Sequence, residues 1–159
     1  SQLILLNPAA PAGVIAFRPS VLRLFARHLL KWGFWNKPIQ LSKEEANWGL
    51  FNHLAPELAS KIYAEQVFES GRAVAEIAFW FFDKHRSVRV DFKKVQCPVL
   101  VIGAKHDRIT PASVCRVVAK RYAKSSYHEL HDIGHWTIEG EPLDKVIELS
   151  INALNAKPA

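Results

Sequence analysis

The spacing of apolar positions changes several times along this chain, and each change predicts an element. Leu3 to Leu6 form a short unbroken apolar run, closed by Asn7-Pro8-Ala9-Ala10-Pro11-Ala12-Gly13. That is the pattern of a buried strand followed by a loop that prolines hold extended. From Pro19 to about Phe82 the spacing becomes helical. Val21, Leu22, Phe25 and Leu29 share one face, and Ser42 with Glu45 three residues on predicts a capping-box start for a second helix. Pro56 opens a helix carrying Leu58, Ile62 and Tyr63, and Ala73 to Phe82 is apolar nearly all round, which predicts a helix covered on several sides.

After a polar stretch from His85 to Phe92, Cys97-Pro98 leads into Val99 to Gly103, an uninterrupted apolar strand of the kind buried on both faces of a parallel sheet. Thr110 as N-cap, with Pro111 at the first helical position, predicts a helix with Val114, Val117 and Val118 as its apolar stripe. Ser126 to Leu130 reads as a weaker strand and Asp132 to Trp136 as a loop. Pro142 then starts a final helix, in which Leu143, Val146, Ile147, Ile151 and Leu154 fall three and four apart. Strand, helical insert, strand, helix, strand, helix is an α/β order, and it predicts a parallel sheet flanked by helices with right-handed crossovers.

Composition narrows the function classes. At 159 residues and 49% hydrophobic, the chain has enough apolar material for one sizeable core. Its longest apolar runs fall far short of the roughly 20 residues of a membrane span, so no membrane role is expected. The formal charge of +6 raises the question of nucleic acid. The cations are scattered singly, Lys37, Lys43, Arg72 and Lys157 among them, with no basic run interleaved with stacking aromatics, and no nucleic-acid partner is expected. Cys97 and Cys115 show no repeated spacing, and reduced thiols in a cytoplasmic setting are the default. The chain has no methionine and begins at Ser1 directly before the first strand, the expectation for the later part of something longer.

The candidate chemistry sits where strands end, because helix N-termini and free backbone donors converge at the carboxyl edge of a parallel sheet. Asp107 follows the 99–103 strand and His135 lies in the glycine-containing loop after the next one. Taken alone, Asp107 reads equally as a helix-entry carboxylate, and His135 as a satisfied core histidine. Taken together, a carboxylate accepting from one ring N–H would fix the imidazole tautomer and stabilise the imidazolium formed when the other nitrogen takes a proton. Asp132, on the same loop as His135, is the runner-up carboxylate and reads as a turn residue. His128, His131 and His135 suggest a metal site with Asp107 or Asp132, but the helical H-E-x-x-H spacing is absent and His128 and His131 face opposite ways on a strand. No metal and no cofactor are expected. His28, His53, His85 and His106 read as surface or cap residues.

The stretch CPVLVIGAKHDRITP, followed by YHELHDIGHW and a closing amphipathic helix, resembles the C-terminal third of an α/β-hydrolase. LILLNPAAPAG resembles that family's sixth strand, and the helices from about Arg18 to about Arg89 resemble the cap inserted after it. The resemblance implies a partial α/β-hydrolase fold: core strand and loop over 1–17, helical cap over 18–90 and the C-terminal part of the core over 91–159. It implies Asp107 as acid and His135 as general base. The aromatic-rich cap, with Trp136 beside the histidine, makes Trp136, Trp80, Phe79 and Trp35 candidates for binding a small apolar substrate, against the plainer expectation that such rings only pack between helices.

The family's nucleophile lies on a G-x-S-x-G elbow upstream of the acid, and this sequence contains none. Ser70, in FESGRA, lacks the first glycine and the preceding strand; Ser1 is too early and Ser113 falls on a helix. The expectation is an esterase-like hydrolase part holding acid and histidine without its nucleophile; on the same scaffold an aspartate nucleophile would instead cleave carbon–halogen bonds or epoxides. The alternative is a catalytically inert truncated, ligand-binding or interaction module. Either way the open edge of the first strand predicts self-association or a complementary N-terminal chain.

Overall fold

The protein is described by a computed structural model that covers residues 1–156; the last three positions of the expected 91–159 unit, Lys157 among them, lie outside the described residues. Its centre is a parallel sheet of β1 (Leu3–Leu6), β4 (Val99–Ala104) and β5 (Ser125–Leu130), in the order β1-β4-β5. Leu3 pairs with Val99 and Val99 with Ser125, so the strands run in register to a common carboxyl edge.

Every residue of β4 is buried, as its unbroken apolar run requires. Val99 and Val101 face α5 (Ala112–Ala119) and pack with Val114, Cys115, Val118 and Tyr122. Leu100, Ile102 and Ala104 face the other way, against Leu130, Ile133 and Val146 of α6 (Glu141–Asn155). Gly103 lets α5 lie close to the sheet: a Cβ there would lie 3.0 Å from both the Cys115 Cβ and the Tyr127 hydroxyl oxygen.

Between β1 and β4 come α1 (Pro19–Leu29), α2 (Lys43–Gly49), α3 (Pro56–Ala64) and α4 (Gly71–Ala78), with a short antiparallel ribbon of β2 (Pro38–Ile39) and β3 (Glu69–Ser70) that the sequence pattern does not announce. The Ser42–Glu45 capping box forms as expected, both of its hydrogen bonds being present. Ala46, Phe51, Ala59 and Ile62 make a separate small core here. Among the described residues no helix is long and apolar enough to cross a membrane.

The structure corrects three local expectations. Pro111 is the cap and α5 starts at Ala112, because the Thr110 hydroxyl is engaged by Asp107 and does not cap the helix. The expected 73–82 helix runs from Gly71 only to Ala78; Phe79 breaks it at φ −118°, ψ 39°, and a short 3₁₀ turn follows that leaves Phe81 and Phe82 exposed. His28 is buried in α1 beside Arg27 and Glu45, so it is not a surface residue. In α1 the buried side chains are Leu24 and His28, whereas Val21, Leu22, Phe25 and Leu29 line an apolar cavity.

Candidate active site

β4 and β5 end side by side, which brings their loops within hydrogen-bond reach. Asp107 Oδ2 lies 2.8 Å from His135 Nδ1. The Asp107 side chain is fully buried, and that of His135 is 23% exposed. Asp107 Oδ1 accepts the backbone N–H groups of Ile109 at 2.7 Å and Thr110 at 2.8 Å, and the Thr110 hydroxyl donates to Oδ2 at 2.8 Å. The carboxylate is therefore satisfied on both oxygens.

Burial acts to raise the Asp107 pKa. The hydrogen bond and charge of His135, with the N–H groups of Thr110 and Ile109, outweigh it, and the carboxyl titrates below its ordinary range. A charged carboxylate only accepts, so it assigns the proton of neutral His135 to Nδ1 and leaves the Nε2 lone pair free. This arrangement can accept a proton at Nε2 and hold the resulting imidazolium.

The loop carrying Asp107 is tied to the helical segment. Arg108 donates to the Trp48 carbonyl oxygen at 2.8 Å and stacks on the Trp48 ring, which Arg23 also approaches at 4.3 Å. Asn52 donates to the His106 carbonyl oxygen at 3.0 Å, and the His53 and His106 rings stack at 4.7 Å. Gly134 is buried against Asn52, with no room for a side chain between them.

Of the candidate aromatic residues, Trp136 is the one placed beside His135. The two border a recess of about 170 Å³ with Leu6, Asn7, Thr137 and Ile138. The Trp136 ring meets Phe51 edge-on and its Nε1 donates to Glu139. Phe79 and Trp35 line a different groove, and Trp80 a third, so these three are not brought to the histidine. The cavity behind Val21, Leu22, Phe25 and Leu29 does reach the acid loop: Ile109 and Thr110 form part of its wall, with Val74, Ile77, Ala78 and Val114. It measures about 130 Å³, and no charged side chain lines it.

Among the described residues no serine is hydrogen-bonded to His135. Ser70 caps α4 by accepting the Ala73 N–H, and the Ser113 hydroxyl accepts from Arg18. Cys115 is buried, and burial with the nearby Asp107 charge pushes its thiol up to about 12, which removes it as a thiolate nucleophile. Asp132 is exposed, and among the described residues no three His, Cys, Asp or Glu side chains cluster as metal ligands. Sequence reasoning missed Asn7 and Thr137, both buried and hydrogen-bonded to each other at the His135 loop; Asn7 read only as the start of a loop held extended by prolines.

No family model matches this sequence, and no curated protein does. Solved structures do match. An esterase from Exiguobacterium antarcticum superposes with a TM-score of 0.60 at 18% identity, over 98% of this chain and 57% of that one. The 2-hydroxy-6-oxo-6-phenylhexa-2,4-dienoate hydrolase from Rhodococcus sp. strain RHA1 gives 0.57 at 17%, over 98% and 56%. A thermophilic esterase from Thermogutta terrifontis gives 0.52 at 19%, over 98% and 57%. The chain thus spans somewhat more than half the length of these proteins. At such identities the likeness is one of fold, and over this span the fold is that of the α/β-hydrolases.

Proposed function

We propose that the chain carries the acid–base half of a hydrolase active site, with Asp107 orienting His135 and His135 Nε2 taking the proton of a nucleophile that these 159 residues do not contain. The observation that carries the reading is the buried Asp107 carboxylate, 2.8 Å from His135 Nδ1 and satisfied on every side, opposite a ring nitrogen left free. The nucleophile is a serine on a G-x-S-x-G elbow in a complementary chain segment, placed along the open edge of β1. The reaction is hydrolysis of an ester or related acyl bond: the hydroxyl adds to the acyl carbon as its proton passes to Nε2, the leaving group departs with that proton, and water then releases the acid product.

The cavity beside the acid loop sets the substrate class. An engineered apolar cavity of about 150 Å³ stays dry and binds benzene. The one here is of similar size, at about 130 Å³. It suits a phenyl or short alkyl group, held by its own burial. Residues 18–90 then act as the cap that closes over this group, and Trp136 borders the histidine side.

The test begins with the mass of every chain in the natively purified protein, followed by hydrolysis of phenyl and p-nitrophenyl esters by that preparation and its His135→Ala variant. An elbow-bearing partner and activity lost with His135 support the reading. Full activity in the variant refutes it. A second reading, a ligand-binding module without turnover, is favoured because among the described residues no hydroxyl is hydrogen-bonded to Nε2; it requires benzene-sized ligands to bind while no ester is cleaved.

A further inference from the structure

We infer that Asn7 is a positioning residue for His135, an amide clamp at the end of β1 that holds the histidine loop and the acid loop at one spacing. The inference rests on the acid–base reading above. The Asn7 N–H continues the sheet ladder by one bond, to the Ile102 carbonyl oxygen at 2.8 Å. The chain then turns with φ 41°, a region where non-glycine residues are uncommon and asparagine is enriched. That turn sends the side chain across the ends of the neighbouring strands.

Nδ2 donates to the His135 carbonyl oxygen at 2.9 Å and to Thr137 Oγ1 at 3.2 Å. The Asn7 carbonyl oxygen lies 3.2 Å from the Thr110 hydroxyl, the same hydroxyl that holds Asp107 Oδ2 at 2.8 Å. A hydroxyl has one proton, so the shorter contact takes it and the Asn7 carbonyl is its alternative acceptor. Asn7 therefore holds the His135 loop through its side chain, while its backbone carbonyl lies beside the threonine that supports the acid. The amide orientation is fixed, because the His135 carbonyl accepts only from the NH₂ side.

Two features show that fold stability alone does not account for this residue. Asn7 is 9% exposed, and its buried Oδ1 has no hydrogen-bond partner among the described residues, an arrangement that ordinarily destabilises. Its backbone is also in a sparsely populated region, and such strain collects at functional sites. A glycine would make the same turn without either penalty and without the clamp.

The experiment uses the full chain with ¹⁵N-labelled histidine. Nδ1-proton exchange and ring titration of His135 are measured by NMR in the wild type, Asn7→Gly, Asn7→Asp and Asp107→Asn. Asn7→Gly keeps the turn and deletes the amide; Asn7→Asp keeps the shape and puts an acceptor against the His135 carbonyl. Loss of a hydrogen bond of this kind is expected to speed Nδ1-proton exchange about tenfold in both Asn7 variants. Backbone amide exchange in α6 should stay unchanged, which separates a local effect from general loosening.

If both Asn7 variants leave His135 exchange and titration as in the wild type while Asp107→Asn alters them, the Asn7 inference is wrong and the acid–base reading stands. If Asp107→Asn also leaves His135 unchanged, both fall. If neither Asn7 variant folds, the residue holds the fold and not the histidine, and the inference is rejected on that ground.

Discussion

Asp107→Asn is the perturbation that bears most directly on the site, because its effect can be worked out atom by atom. The asparagine keeps Oδ1 where it accepts the Ile109 and Thr110 N–H groups. At the Oδ2 position an NH₂ group replaces the acceptor that now lies 2.8 Å from both the Thr110 hydroxyl and His135 Nδ1. The hydroxyl can rotate to accept. The imidazole cannot keep its Nδ1 proton against another donor, so it must shift that proton to Nε2, the atom that the proposed mechanism needs free. Hydrogen bonds to charged groups contribute about 1.5–3 kcal/mol and neutral ones about 1, so the fold loses about 1–2 kcal/mol. For a chain of this length that lowers Tm by about 2–8 °C. The loss in turnover is larger: a wrong histidine tautomer costs about 10⁴-fold, or about 5.4 kcal/mol of barrier. Long-range ¹H–¹⁵N correlation spectra of the imidazole nitrogens report the tautomer in the chain itself, with no need for substrate. A variant in which His135 still carries its proton on Nδ1 would overturn the assignment of Asp107 as the group that fixes the tautomer, whatever its activity.

The pH dependence has a definite sign. Asp107 titrates lower in the folded protein than its ordinary value of about 3.9, so its stabilisation is fully present above that value and is lost as pH falls through the depressed folded one. Denaturation curves should show the stability gap between wild type and Asp107→Asn shrinking below about pH 4; a gap that widens on acidification contradicts the assignment. Thiol labelling of the native protein should modify the partly exposed Cys97 and spare Cys115, whose thiol is buried and held near 12; rapid modification of both would show that α5 opens. Gly71→Ala would press a Cβ into the backbone carbonyl oxygens of Phe34 and Lys37, and should cost about 3 kcal/mol, read as a lowered unfolding midpoint. Ala78→Leu should fill the apolar cavity and reduce kcat/KM for phenyl-bearing esters by about 10–200-fold relative to acetate esters. An equal loss on both ester types would place the apolar group elsewhere.

How much of this was legible beforehand depends on how local the cause is. β4 could be read because a strand buried on both faces must be apolar at every position; α6 could be read as a helix from its spacing, although of its stripe only Val146 is buried and Ile147, Ile151 and Leu154 are exposed. The Ser42–Glu45 box closes within four residues and needs nothing from the rest of the chain. Thr110 shows the limit of such rules. A threonine before a proline reads as a cap, yet a carboxylate three residues earlier, itself held by the strand end, competes for the hydroxyl and wins. The α1 stripe was visible as a face, but whether a face meets solid core or the wall of a cavity is decided by α4 and the acid loop, which lie far along the chain.

The aromatic residues carry the same lesson further. Trp35, Phe79, Trp80 and Trp136 look alike in a sequence, all large rings among helical or loop positions, and Trp136 alone arrives at the histidine because it follows it in the chain. Phe79 and Trp80 are placed by the break at Phe79, which no glycine or proline marks. Asn7 is the opposite case: a residue with a bland local reading whose side chain reaches positions 128 and 130 residues away. Its orientation depends on β1 pairing with β4 in this register and β4 pairing with β5 in theirs, since a one-residue slip in either would turn the side chains to the other face. Asp107 and His135 could be anticipated because each closes a strand of its own. Asn7 follows a third strand, and only the assembled sheet brings its side chain against the His135 loop.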